Sequence, residues 1–258
     1  MEFTTLMSGS AGNCTYISGG NTKILVDVGC SCRYLEKALS QIGVNLSDID
    51  AIFISHEHTD HIRGVPVSSS RYNIPVFASD LTWGSLPFYE DFLPWQRHHF
   101  EYDMQIGDLS IDFFKTSHDA IQPVGMIFRH REKKVGLATD TGQVSPTMIK
   151  FLTGCDGLIL EANHSSDMLA FGPYPYFLKK RIAGPKGHLS NKQSALALSK
   201  IVTQKTRSVL LAHLSEINNN EVTALTEIKQ MLSHLKFACH CSITAAKNRT
   251  VSPLIKLA

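Results

Sequence analysis

The segment Ile52-Phe-Ile-Ser-His56-Glu-His58-Thr-Asp60-His61 constrains this chain more than any other. An apolar run followed at once by a polar cluster reads as a buried strand that ends in a loop. Loops at strand ends are where side chains can converge on one point. Imidazole and carboxylate together suit borderline divalent ions such as zinc, manganese or iron. The chain has 12 histidines, and a random ordering of its residues would contain His-x-His-x-Asp-His about once in a thousand chains. The spacing is therefore a specific signal for a metal site, and a histidine-rich surface loop is the weaker reading.

The other polar ligands follow the same rule of position. Asp27 ends the apolar run 23–28. His118 follows 109–115, Asp140 follows 134–139, Glu161 closes 157–161, and His213 follows 207–212. Asp27, before Gly29, either orients a ligand histidine from behind or caps the next turn. Loops at one rim of a sheet can bring such residues together. His56, His58, Asp60, His61, His118, Asp140 and His213 make seven ligands, which is too many for one ion and enough for two that share a carboxylate.

Between these points the chain alternates strands and helices. Strands are expected at 2–7, 14–18, 23–28, 51–55, 74–78, 109–115, 124–130, 134–139, 157–161 and 207–212. Helices are expected at 31–42, 61–72, 145–154, 192–203 and 221–235, the last with Val222, Leu225, Ile228, Met231 and Leu232 on one face. The tail 236–258 is expected to add one strand. Residues 81–94 carry Trp83, Phe88, Tyr89 and Phe92 and read as an irregular excursion, packed on the body in preference to forming a substrate-facing wall. His98 and His99 lack a carboxylate at ligand spacing and read as structural or exposed. The small-residue loop 8–13, with Ser8, Ser10 and Asn13, either turns its amides toward an anion or makes an ordinary hairpin. Residues 174–183 are aromatic and basic, and Ser190 or Asn191 suits the N-cap of the helix after it.

No linker, repeat or low-complexity stretch divides the 258 residues, so one domain over 1–258 is expected, with mixed sheets and outer helices. The formal charge of +2 neither demands nor excludes a polyanionic substrate. No apolar run reaches the ~20 residues of a membrane span, and the N-terminus lacks the pattern of a secretory signal. A cytoplasmic protein that does not engage membranes is expected. Six cysteines, at 14, 30, 32, 155, 239 and 241, are then expected to be reduced. The pairs Cys30/Cys32 and Cys239/Cys241 either bind metal or, lacking the C-x-x-C knuckle, serve as small buried hydrophobes.

His-x-His-x-Asp-His after a strand, then a lone His, an Asp and a last His at later strand ends, resembles the metallo-β-lactamase superfamily across the whole chain. The resemblance implies an α/β fold, a four-layer αβ/βα sandwich of two mixed sheets with outer helices. Asp60, with His118 where the β-lactamases proper carry Cys, is similar to the phosphodiesterase branches. Gly187-His188-Leu-Ser190-Asn191 followed by Ala212-His213-Leu-Ser215 resembles the transfer-RNA 3′-processing endonucleases. Their non-ligand histidine donates a proton to the leaving group. His188 falls on that position, and Glu161 on the acid that orients it. Ser8–Asn13, Ser55–His61, Glu161-Ala-Asn-His164 and Asn218-Asn219 are similar to the YycJ/WalJ group of bacterial exonucleases.

The resemblance implies a 5′→3′ exodeoxyribonuclease of DNA metabolism or repair, with two zinc or manganese ions; iron is less favoured. His56, His58 and His118 would hold one ion, Asp60, His61 and His213 the other, with Asp140 bridging. A bridging hydroxide would attack phosphorus, His188 would protonate the departing oxygen, and Asp60 would help steer the nucleophile. DNA is favoured over RNA as partner, and a homodimer is allowed. Ser8, Ser10, Asn13, Ser190, Asn191, Lys180 and Arg181 are candidate substrate contacts; for the basic trio 179–181 a solvated helix face competes. His164 either touches substrate or has a structural role. The alternatives are a small-molecule hydrolase acting on cyclic, phosphonate or thioester substrates, an RNA-processing nuclease, or a non-hydrolytic di-iron protein.

Overall fold

The structure, a computed structural model, describes residues 1–100, 102–238 and 240–257. The first half of the chain builds six strands of one seven-stranded sheet. Strands β1 (Glu2–Met7), β2 (Cys14–Gly19) and β3 (Thr22–Val26) are antiparallel neighbours. β4 (Ala51–Phe53), β5 (Val76–Ala78) and β6 (Arg97–His99) then extend the sheet in parallel. The second half repeats the plan. β7 (Asp103–Ile106), β8 (Leu109–Lys115), β9 (Val124–His130) and β10 (Lys133–Ala138) run antiparallel, and β11 (Gly157–Glu161), β12 (Ser208–Ala212) and β13 (Ser242–Ala245) follow in parallel. The last strand, β14 (Ile255–Lys256), returns to the first sheet beside β1.

Alternation along the strands makes four layers. In the segment through β4, Ala51 and Phe53 point between the sheets, where they meet Phe3, Phe113 and Phe128. Ile52 and Ile54 point outward, into the cluster under α1 (Cys32–Gln41) and α3 (Val65–Tyr72). In β11, Ile159 faces the first sheet. Leu158 and Leu160 face α5 (Pro146–Leu152), α8 (Asn191–Ile201) and α9 (Glu221–His234). Strands covered on both faces read as unbroken apolar runs, and those were the strands the sequence marked most clearly. The architecture is the expected αβ/βα sandwich of two mixed sheets.

Several local expectations are corrected. The helix expected over 61–72 is two, a short α2 (Thr59–Ile62) and α3. The break is at Gly64, whose N–H donates to Val28 O (2.7 Å) and whose Cβ, if present, would lie 1.8 Å from Cys30 O. The tail supplies two strands, one to each sheet, because Ser252 crosses to hydrogen-bond Thr4 and Thr5. The 81–94 excursion opens with a helix, α4 (Asp80–Ser85), capped by Ser79, and Trp83 is buried beneath it. β7, α6 (Ser166–Phe171) and α7 (Tyr176–Ile182) carried no periodicity long enough to find. Val222 lies outside the buried face of α9 and is exposed, with Ala224 taking its place.

His98 stacks on Phe77 and His99 pairs with Asp80, so both are structural. Cys30 and Cys32 are buried thiols. Neither falls in a metal-compatible group among the described residues. Cys32 opens α1, so the pair does not share a strand face. Cys241 packs at the edge of the outer cluster, and Cys239 lies outside the described residues. Among the described residues no helix is long and apolar enough to cross a membrane.

Candidate metal centre

One rim of the sandwich collects the ends of β3, β4, β8, β10, β11 and β12. Three residues there leave their strands in left-handed backbone: Asp27 (φ 60°), Asp140 (φ 55°) and His213 (φ 57°). Each costs of order 1–3 kcal/mol for a side-chain-bearing residue. Surrounding bonds hold these turns. The Asp27 N–H donates to Phe53 O (2.7 Å), and the His213 N–H donates to the Ser8 hydroxyl (2.8 Å).

Asp27 is the hub behind the histidine loop. Its Oδ1 accepts from the Ser55 N–H, and its Oδ2 accepts from the Ser55 hydroxyl and from His61 Nδ1, each at 2.8 Å. His56 Nδ1 in turn donates to the Ser55 hydroxyl (2.9 Å). His118 Nδ1 donates to Gly187 O (3.1 Å) and His213 Nδ1 to Glu161 Oε1 (3.0 Å). Each of these four rings is thus fixed through Nδ1, which turns Nε2 toward the centre: Nε2 of His56 and of His213 has no partner among the described residues, while that of His61 accepts from Asn13 Nδ2 (3.0 Å) and that of His118 meets His58 Nδ1 (3.3 Å).

Candidate ligand atoms gather in two three-residue groups. Donor atoms of His56, His58 and His118 lie within 4.8 Å of one another, and so do those of Asp60, His61 and His213. Asp140 stands between them, grouped with His56 and His61 on one side and with Glu161, His188 and His213 on the other. His56 Nε2, Asp140 Oδ2 and His213 Nε2 are buried and have no hydrogen-bond partner among the described residues. Buried polar atoms are nearly always paired, and three that are not, aimed at one space, fit a cation. The donor set of imidazoles and carboxylates fits a borderline divalent metal.

The electrostatics agree. Burial pushes the Asp140 carboxyl up, but His213, His61, His56 and His118 around it outweigh that and hold it well below the usual carboxylate range. Burial lowers the His213 imidazole, yet Asp140, Asp60 and Glu161 overcome that and push it up to about 10. His61 is raised in the same way by Asp140 and Asp27. His56 is lowered, first by burial and then by His61. The carboxylates thus call for positive charge at this spot, which protons or divalent cations can supply.

His188 stands beside the two groups and outside them. Its Nδ1 donates to Glu161 Oε1 (2.7 Å). Glu161 Oε2 accepts from the N–H groups of Thr141 (3.1 Å) and Leu189 (3.0 Å). Burial raises the Glu161 carboxyl, but the His188 charge and the bonds from both histidines hold it down to about 2. One buried carboxylate therefore orients both His188 and His213. A pocket of about 290 Å³ opens over the centre, lined by His58, Asp60, His118, Asp140, His188 and His213.

The expected substrate contacts divide. Ser10 and Arg181 line the pocket. Ser8 is buried and supports His213. Asn13 accepts from the Gly9 N–H and donates to Asp60 Oδ2 (3.1 Å), so it positions a ligand and does not line the pocket. Ser190 and Asn191 are buried: Ser190 caps α8, and Asn191 bonds Asn219 and Glu227. His164 is 2 % exposed and does not line the pocket. Lys180 is exposed and lies outside the lining. A helix cap needs its oxygen for backbone N–H groups and a buried amide for its neighbours, and neither is then free for a ligand. Residues that were not marked as site candidates in the sequence also line the pocket: Asp119, Asn163, Tyr174, Leu178, Ile182 and Ser215. Asp119 accepts from Arg181 Nε (2.6 Å) and lies 3.5 Å from His118 Nε2. Its place next to His118 in the chain was the one available signal.

The model of the metallo-beta-lactamase superfamily matches residues 7–213. Exodeoxyribonuclease YycJ of Bacillus anthracis is 36 % identical over 240 residues, 92 % of this chain and 91 % of that protein. Exodeoxyribonuclease WalJ of Streptococcus pneumoniae is 36 % identical over 236 residues, 89 % of this chain and 88 % of that one. Among solved structures, the metallo-beta-lactamase fold protein YhfI of Bacillus subtilis aligns with a TM-score of 0.73 at 19 % identity, covering 97 % of this chain and 98 % of its own. The chain is a metal-dependent hydrolase and belongs to the metallo-β-lactamase superfamily.

Proposed function

We propose that this protein is a two-metal exodeoxyribonuclease that removes nucleotides from DNA 5′→3′ in DNA metabolism or repair. The observation that carries the reading is the pairing of two three-residue groups of candidate ligands, with Asp140 between them, and a further histidine held by a buried acid. The choice of DNA rests on the two exodeoxyribonucleases to which the chain is 36 % identical. His56, His58 and His118 would hold one zinc or manganese ion, Asp60, His61 and His213 the other, with Asp140 between, all within one domain of 258 residues. Bound there, divalent cations would supply Lewis acidity toward the phosphoryl group and acidify water to near neutral pKa.

The chain's own residues do the rest. Asp27 and Ser55 fix the ring orientations of His56 and His61. Because Nδ1 of His188 donates to Glu161, a proton carried on Nε2 faces the pocket and can pass to the departing oxygen. Glu161 stabilises the charged ring before that transfer. Asp60, half-buried at the pocket edge, is oriented by Asn13 and can steer the attacking group. Arg181, held by Asp119, offers positive charge to a phosphate.

The test is hydrolysis of single- and double-stranded DNA and RNA, labelled at either end, across a zinc and manganese series. Mononucleotide release from DNA 5′ ends is the expected outcome. His188→Ala should retain its metal content and lose about 10²–10⁴ in kcat. Turnover of only a small diester such as bis(p-nitrophenyl) phosphate would overturn the nuclease reading, and full activity in His188→Ala would overturn the proton donor.

A further inference from the structure

Beside the pocket, the α6–α7 hairpin presents rings to solvent that packing does not require. Phe171 is 90 % exposed, Tyr176 80 % and Phe177 74 %. Single exposed apolar residues are ordinary, but three strongly exposed aromatic residues within seven positions, two of them on one helix, are not, and such exposure is a mark of binding surfaces. None of the three rings stacks with another aromatic ring among the described residues, so their faces are open. The same hairpin reaches the catalytic pocket: Tyr174, Leu178, Arg181 and Ile182 line it. Phe177 stands one helical turn before Arg181, so a ligand leaving the pocket past Arg181 next meets that ring.

We propose that this hairpin is a stacking platform for the unpaired bases of a DNA strand whose reacting phosphodiester lies in the pocket. The inference rests on the nuclease reading above. Three observations support a polyanion with ring faces over another apolar partner. The basic side chains Lys180, on α7 with Tyr176 and Phe177, and Lys186, in the loop that follows, are exposed, which suits a phosphate backbone running past them. The hairpin is also stiff. Lys179 Nζ donates to Ala170 O (2.7 Å), tying α7 to α6, while Arg181 to Asp119 ties α7, and Ser117 Oγ to Pro185 O ties the loop after it, to the His118 loop. Pro173 and Pro175 restrict the connection around Tyr174. A stiff platform loses little freedom on binding. Finally, the surface offers ring faces instead of base-reading side chains. Stacking accepts every base, as an exonuclease that must pass any sequence needs. Bases in an intact duplex cannot stack on it, so the platform selects a frayed or single-stranded end.

The experiment uses the full chain loaded with its metal. KM and kcat are measured on a single-stranded oligonucleotide and on a blunt duplex of the same sequence, and binding is followed by 2-aminopurine quenching. Wild type is scored first: failure to degrade DNA in any metal overturns the nuclease reading and the platform with it. Given DNA hydrolysis, Tyr176→Ala and Phe177→Ala should each raise KM on the single strand about fivefold or more, with a smaller change on the duplex and in kcat. Phe177→Trp should restore the KM and the quenching, and Phe177→Leu should not. An unchanged KM overturns the platform alone, and so does a Phe177→Leu that performs as well as Trp. A shift from dimer to monomer in sedimentation, with KM unaltered, assigns the face to a second copy of the chain and also overturns it.

Discussion

At the scale of single residues, the centre depends on side chains that never reach a substrate. Asp27 and Glu161 each satisfy several donors at once and so set the tautomer of the histidines in front of them. His164 is a different case: buried close to Glu161, with Nδ1 unpaired among the described residues. Burial holds its imidazole down to about 4, whereas an unfolded histidine titrates near 6.5. Between those values the unfolded chain binds a proton that the folded chain refuses. Stability therefore falls as pH drops from about 6.5 and the loss is complete below about 4, amounting to about 3 kcal/mol. Urea midpoints measured across this range should decline less steeply in His164→Gln than in wild type. Equal slopes would mean that His164 is not held neutral.

At the scale of elements, one glycine, Gly29, decides how closely the loops behind the site can approach. The Gly29 N–H donates to Asn13 O (2.8 Å), and the Asn13 N–H donates to Asp60 O (2.8 Å). A Cβ on Gly29 would lie 1.6 Å from Asp60 O, so the β3–α1 loop and α2 touch backbone to backbone. Gly29→Ala must push α2 away; a loss of about 1–3 kcal/mol is expected, together with reduced metal content by elemental analysis. Gly84 is the contrast. It lies inside α4 with open space where a Cβ would go, so Gly84→Ala should raise stability by up to about 1 kcal/mol. If thermal unfolding ranks the two variants equally, close approach at Gly29 does not matter. The elements missed in the sequence share a cause. β7 has four residues and no buried position, and α6 and α7 have six and seven residues, too short for a period to declare itself.

At the scale of the whole molecule, the centre is also a fastener. Its residues come from both sheets: Asp27 and His56–His61 from the first, His118, Asp140, Glu161 and His213 from the second. A cation gripping both ties the sheets across their shared core. Ions that bind only the folded chain, present at about a thousand times Kd, contribute about 4 kcal/mol. For a chain of this size that is about 10 °C in Tm. Dialysis against a chelator should lower Tm by that order, and zinc or manganese should restore it. A melting curve indifferent to chelation, in protein free of metal by mass spectrometry, would count against the centre.

The residue types and their position at the ends of apolar runs were open to reading in the chain itself. Local periodicity reports burial, and a rare spacing such as His-x-His-x-Asp-His survives comparison with chance. The seven ligand candidates, Asp27 behind them and Glu161 beside His188 could be named on those grounds and on resemblance. Which neighbouring polar side chains reach the pocket could not. Ser8, Asn13, Ser190, Asn191 and His164 are polar and close to the motifs in sequence, yet none lines the pocket: Ser8 and Ser190 hold backbone N–H groups, Asn13 holds Asp60, Asn191 holds Asn219 and Glu227, and His164 is buried. Asp119, Asn163 and Tyr174 turn out to line the pocket. That division depends on the direction of each side chain after the sheets have packed, and direction is a property of tertiary contacts that no spacing along the chain encodes.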